Sequence, residues 1–134
     1  MITQVTHVTR YVRDEDATLK FYLEVLGFEL HTDTGMQGGG RWLTVNVPGH
    51  KNFEVVLSNP TTWLKGEAQA EALRQIGHQA MLVLGTSDIE ALHAKLEAAG
   101  AKINPRGISD MPWGRDMTFH DLEGNEIYVV QPQG

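Results

Sequence analysis

An α+β fold built from two tandem modules is what this 134-residue chain predicts, on three observations. Stretches in which Val, Thr and aromatic residues alternate with polar ones recur around single helix-like segments. The order strand, helix, three strands occurs twice. One offset of 74 aligns the two copies without a gap, taking Asp14 to Asp88, Ala17 to Ala91, Gly40-Arg41 to Gly114-Arg115, Thr44 to Thr118 and Val55-Val56 to Val129-Val130. The expected organisation is a single domain over residues 1–134, with a first module at 1–58, a connector at 59–77 and a second module at 78–134. Its curved βαβββ sheets are expected to form an incompletely closed barrel around an internal cavity.

The elements follow in order. Residues 3–12 alternate as a half-buried strand does. Asp14-Glu15-Asp16 then places acids where a helix N-terminus favours them, and Leu26-Gly27 stops a helix carrying Ala17, Phe21 and Val25 on one side. Strand signals at Phe28–Thr32, Arg41–Val47 and Phe53–Ser58 are separated by a Gly35–Gly40 loop and a Pro48–Asn52 turn. A connector helix spans Glu67–Ile76. The second copy has a strand at Gln79–Gly85. A capping box, Ser87-x-x-Glu90, then opens a helix with Ile89, Leu92, Leu96 and Ala99 on one stripe. Strands at Lys102–Asn104, Arg115–His120 and Glu126–Gln131 complete it, the last two joined by an Asp121–Asn125 turn.

Composition narrows the function. With 41% hydrophobic and 21% charged residues the chain is globular rather than disordered. A net charge of −6 without any Lys/Arg run argues against nucleic acid and anionic membranes, which need a cationic footprint. The absence of Cys removes disulfide, thiolate-zinc, iron–sulfur and thiol chemistry, leaving His and carboxylate for any metal. No basic segment followed by an apolar run opens the chain, and no apolar stretch approaches the ~18 residues of a membrane span, so a cytoplasmic protein with a small-molecule partner is the expectation.

Strand periodicity sorts the side chains. The apolar rows Phe53, Val55, Leu57 and Leu43, Val45, Val47, with Val8 and Val12, are expected under the helix. That leaves His7, Thr9 and Tyr11, then Trp42, Thr44 and Asn46, then Glu54, on the inner face. The offset of 74 gives the mates Met81 for His7, Asp116, Thr118 and His120 for the second strand, and Tyr128 for Glu54. A polar cavity with aromatic edges is the default ligand site.

These residues carry a likeness. His7 and Asp14, Phe21-Tyr22 with Leu26-Gly27-Phe28, Gly39-Gly40-Arg41-Trp42, Phe53-Glu54-Val55-Val56-Leu57, Pro112-Trp113-Gly114 and Asp121-x-x-Gly124-Asn125 together resemble the vicinal oxygen chelate superfamily. That group includes glyoxalase I, fosfomycin resistance proteins, extradiol dioxygenases and bleomycin-binding proteins. The resemblance covers nearly the whole chain. It implies one divalent ion (Zn, Ni, Mn or Fe) held by a residue from the first and last strand of each module. His7 and Glu54 stand at the first module's positions, whereas Met81 and Tyr128 stand where the second module would supply His and Glu. A thioether is a poor ligand for such ions and a phenol keeps its proton near neutral pH, so any ion is expected to be weakly held or absent. His78, His120 and Glu126 are the groups that would complete a site. His31, His50 and His93 read as surface residues.

Two functions follow. One is a metal-dependent lyase or isomerase acting on a substrate with adjacent oxygens, with Glu54 as ligand and base and His7 as ligand. The other is a metal-free protein that sequesters a small compound, as bleomycin-binding relatives do. In either, Tyr11, Trp42, Thr44, Asn46, Met81, Trp113, Thr118, His120 and Tyr128 are expected to line the ligand, Trp42 and Trp113 as an aromatic wall. Gly38-Gly39-Gly40 precedes a strand and not a helix, which makes it a flexible loop rather than a phosphate cradle. Met36 and Met111 lie in loops, and the repeated Arg41 and Arg115 are expected to tie loops to their modules. Edge strands and small modules lead to the expectation of a homodimer.

Overall fold

The computed structural model describes residues 1–133. The chain forms two compact units, Met1–Ile76 and Gly77–Gly134. The first contains β1 (His7–Tyr11), α1 (Glu15–Lys20), a π-helical turn (Phe21–Val25), β2 (Glu29–Gly35), β3 (Arg41–Asn46), β4 (Glu54–Ser58) and α2 (Gly66–Gln75). The second contains β5 (Leu82–Gly85), α3 (Ile89–Ala98), β6 (Ser109–Met111), β7 (Gly114–His120) and β8 (Glu126–Pro132). Each unit has one four-stranded mixed sheet, ordered β1-β4-β3-β2 and β5-β8-β7-β6, in which the first and last strands run parallel. The two βαβββ modules are thus real, and both follow one topology.

The repeat is strictest where it builds the scaffold. Asp14 accepts a hydrogen bond from the Ala17 N–H at 2.9 Å and Asp88 from the Ala91 N–H at 3.0 Å, capping α1 and α3 identically. Arg41 reaches Asp16 in the first turn of α1 at 2.7 Å and grips both oxygens of Asp33 on β2 at 2.8 Å. Arg115 reaches Glu90 on α3 at 3.0 Å and Asp110 on β6 at 3.5 Å. Each arginine therefore ties its helix and edge strand to the sheet. Beneath the helices, Leu43, Val45 and Leu57 in one unit and Met117, Phe119 and Ile127 in the other are wholly buried. Each such side chain is worth about 1.5–3 kcal/mol. Gly114 opens β7 at φ +144°, opposite Pro132, where a Cβ would run into the Gln131 carbonyl oxygen. Only glycine fits there.

Several sequence expectations need correction. The helix expected to run to Leu26 changes at Phe21 into a π turn, with the Leu26 N–H bonded to the Phe21 carbonyl, which seats Tyr22 edge-on against Phe28 at 5.2 Å. Lys102–Asn104 is not a strand: Ile103 makes an isolated bridge to Phe119, and the edge strand is Ser109–Met111. Phe53 and Val47 are exposed rather than packed, because β3 ends at Asn46 and β4 begins at Glu54, leaving both in the connecting turn. The strand expected from Gln79 begins at Leu82, so Met81 precedes β5.

The largest correction concerns register. In the first sheet His7 pairs with Glu54 and Val8 with Val55; in the second Leu82 pairs with Ile127. Val8 maps to Leu82 at the offset of 74, but Val55 maps to Ile127 at an offset of 72. The turn Asp121–Asn125 is two residues shorter than Val47–Phe53, and this moves β8 along its neighbours. Glu126, not Tyr128, is consequently the register counterpart of Glu54, and Tyr128 that of Val56. The matching Val-Val pairs concealed the deletion.

Candidate functional site

In the first unit, alternation turns His7, Trp42, Thr44 and Glu54 to the inner face, the side of the sheet away from its helix. Glu54 is the hub. Its Oε1 accepts from Thr44 Oγ1 at 2.7 Å and lies 3.0 Å from His31 Nδ1, while its Oε2 lies 3.0 Å from His7 Nε2. Two imidazoles and a hydroxyl thus surround one carboxylate whose side chain is 14% exposed. His7 Nδ1 is 2.8 Å from Thr6 Oγ1, and the His7 ring lies 5.6 Å from that of Trp42 with the planes tilted by 59°. Asn46 is buried and donates to Glu29 at 2.9 Å, bracing β2 against β3 rather than facing a ligand freely. Tyr11 is half-buried at the end of β1.

His31 is the residue that the sequence reading missed. The structure keeps it on the surface, as expected, and also brings it to the Glu54 cluster. The signal was present: Glu29 and His31 alternate with Phe28 and Leu30, so period two places His31 on the face of Thr44. The structure adds a bulge between Leu30 and Thr32, and β2 pairs with β3 on through Gly35.

The second unit is built differently. Asp116, 2% exposed, accepts from the Tyr128 hydroxyl at 2.6 Å and pairs with Arg106 at 3.1 Å. The Trp113 indole N–H donates to the Tyr128 oxygen at 3.0 Å. Asp116 holds the phenolic proton so well that the Tyr128 pKa is raised above its ordinary value, with desolvation adding to the effect. Thr118, paired with Tyr128, is half-buried, and Trp113 is exposed. Farther along the same sheet, a cleft of about 330 Å³ is lined by Gly77, His78, Gln79, Met81, His120, Gly124 and Glu126. His120 Nε2 is 3.9 Å from Glu126 Oε1. His78, His120 and Glu126 therefore share one cleft, separate from the Tyr128 network.

Residues 4–129 match the profile of the Glyoxalase/Bleomycin resistance protein/Dioxygenase superfamily. The chain belongs to this superfamily. Among solved structures of the superfamily's fold, UcmS2 is similar at 28% identity and a TM-score of 0.82, with 97% of this chain and 98% of that one covered. TnmS3, an antibiotic binding protein from Streptomyces sp. CB03234, is 31% identical over 98% of both chains, with a TM-score of 0.73. The uncharacterized protein YetH of Bacillus subtilis (strain 168) is 28% identical over 131 residues, 98% of this chain and 100% of its own.

The superfamily's metal chemistry can be set against the donors in each unit. In the first, Glu54 accepts from Thr44, and a nitrogen of His7 and one of His31 stand 3.0 Å from its two oxygens. In the second, the register partner of Glu126 would be Met81, a poor ligand, and Tyr128 keeps its proton on Asp116. Among the described residues no group of three or more His, Asp or Glu is arranged to hold an ion. Neither unit's donor set by itself fits a tightly held divalent ion, for which three protein ligands are the usual minimum. No helix among the described residues is long and apolar enough to cross a membrane.

Proposed function

We propose that this protein binds a small planar organic molecule on the inner face of its first sheet and does so without a tightly held metal ion. The observation that carries this reading is the occupation of Glu54. A carboxylate that accepts from Thr44 and has an imidazole nitrogen 3.0 Å from each oxygen is crowded by its own neighbours, which suits an organiser of those groups better than an open base or an open ligand. Trp42 beside His7 offers the flat apolar surface. Likeness to an antibiotic binding protein over 98% of the chain supports the same reading. In this reading Tyr11 and Thr44 border the ligand, and Trp113 with Tyr128 offers a second aromatic patch. The protein is proposed to act as a homodimer, which light scattering checks. Titrating planar aromatic compounds into chelator-treated protein tests the binding: Trp fluorescence should be quenched saturably, and Trp42→Ala should abolish the Trp42 share. Quenching that needs added Ni²⁺ or Zn²⁺ would reject it.

One observation favours a second reading. His7 and Glu54 remain adjacent at 3.0 Å, and the register returns a carboxylate, Glu126, to the second module. In a metal-dependent lyase or isomerase His7 and Glu54 would be ligands and Glu54 also the base. Metal-dependent turnover lost in His7→Ala would establish that alternative.

A further inference from the structure

We infer that Trp63, in the connector after β4, is a ligand-binding residue that forms an end wall on the inner face of the first unit and stacks on a planar aromatic ligand, an inference that rests on the binding reading above. Two contacts put the ring there. Its indole N–H donates to Ser58 Oγ at 2.9 Å, and alternation along β4 sets Ser58 on the face of Glu54 and Val56. Trp63 Cβ lies 3.5 Å from where a Cβ on Gly40 would stand, at the start of β3 and two residues before Trp42. The ring therefore meets the inner face where β3 begins and β4 ends, at the level where Tyr11 pairs with Ser58.

The chain around Trp63 holds it in place. The Asn59 side chain donates to the Arg13 carbonyl at 3.1 Å and accepts from the Thr61 N–H at 3.0 Å and the Thr61 hydroxyl at 2.7 Å, which closes the Pro60–Thr62 turn that carries Trp63. From the other side Gly39 and Gly40, at φ +105° and +89°, come close to this turn: a Cβ on Gly39 would stand 3.3 Å from the Thr62 carbonyl oxygen. Glycines at these two positions let the loop and the turn meet. Yet Trp63 remains 48% exposed. A fixed ring open to solvent adds little to the core, but it spares a ligand the cost of ordering that ring. The indole has one donor and Ser58 holds it, so Trp63 offers a ligand its ring surface alone. Trp42 brings a second indole to the same face, beside His7. The pair suits a flat ligand of two or more fused rings that touches both.

The test titrates 2-naphthol into full-length ¹⁵N-labelled protein and follows the indole N–H signals of its three tryptophans, assigned by single Trp→Phe variants. The Trp42 and Trp63 signals should move together, with one dissociation constant. Trp63→Leu, which keeps apolar bulk without an aromatic face, should weaken binding about tenfold in a variant that still unfolds cooperatively, and Trp63→Phe should recover part of the loss. Ser58→Ala, which frees the indole without removing it, should weaken binding by less than Trp63→Leu. A Trp63 signal that stays still while Trp42 moves, or wild-type affinity in folded Trp63→Leu, would overturn the role of Trp63, and the first of these is read on the wild type even if the variant fails to fold. Failure of 2-naphthol to move Trp42 at millimolar concentration would overturn the binding reading itself and this role with it.

Discussion

The two modules share a skeleton and differ on the face that matters. Asp14 and Asp88 cap their helices alike, and Arg41 and Arg115 tie helix to edge strand alike. On the inner faces the likeness ends. The first module gathers His7, His31 and Thr44 around Glu54, whereas the second buries Asp116 between Tyr128 and Arg106 and leaves Glu126 with His120 in a separate cleft. The repeated scaffold shares the contacts that hold helix to sheet and differs in those on its inner faces. The difference also shows how little is needed to move a site: a turn shorter by two residues sends Glu126, not Tyr128, to the register position of Glu54.

The repeated glycines break the comparison most strongly. Gly114→Ala places a Cβ against the Gln131 carbonyl at positive φ, and should lower stability by about 3 kcal/mol or prevent folding. Its mate Gly40, at φ +89°, meets only Thr62 and Trp63 at 3.4 Å or more, so Gly40→Ala should cost about 1 kcal/mol in chemical denaturation.

The carboxylate hubs come next. Asp116→Asn strips the charge from a buried group paired with Arg106, and should cost about 2 kcal/mol without altering aromatic-ligand binding to the first unit. Glu54→Gln should cost about 1 kcal/mol and reduce that binding, because it removes the charge around which His7, His31 and Thr44 gather. Equal effects of the two on binding would erase the functional asymmetry.

The helix caps sharpen the comparison from the other side. Asp14→Ala and Asp88→Ala should each cost about 1 kcal/mol, and unequal losses would mean the shared scaffold is only apparent.

The Tyr128 network gives the smallest effect and a sign. Its pKa is raised in the folded state, so the contribution to stability is complete below the ordinary tyrosine range, near pH 10, and disappears as pH rises through the raised value. Ultraviolet titration should show a late-ionising tyrosine that is missing in Tyr128→Phe and reverts to the ordinary range in Asp116→Asn.

Much of this organisation is written in the chain. Asp14, Gly27, Asp88 and Gly100 mark helix ends by chemistry that is local, and alternation correctly turned Glu54, Thr44 and His7 to one face. The misses lie where distant pairing decides. A Val-Val pair recurs at 55–56 and 129–130, which made a gap-free alignment attractive, and only hydrogen-bond register exposes the shorter turn. His31 lies inside the strand expected at Phe28–Thr32, and alternation sets it on the face of Thr44; what local composition does not mark is the bulge between Leu30 and Thr32. Alternation sets Asp116 on the same face as Tyr128, but nothing local marks Arg106, from the loop before β6, as its ion-pair partner.

Metal content tests the central claim most directly, namely that the inner face of the first module recognises a ligand through its own side chains. Elemental analysis of untagged protein purified without chelator should find Zn, Ni, Mn and Fe far below one ion per chain, and Ni²⁺ or Zn²⁺ should add little thermal stability. An ion present at 100 times its dissociation constant adds about 2.7 kcal/mol, a shift easily seen. Stoichiometric metal, lost together with that stabilisation in His7→Ala, would contradict the account and make Glu54 a ligand rather than the anchor of His31.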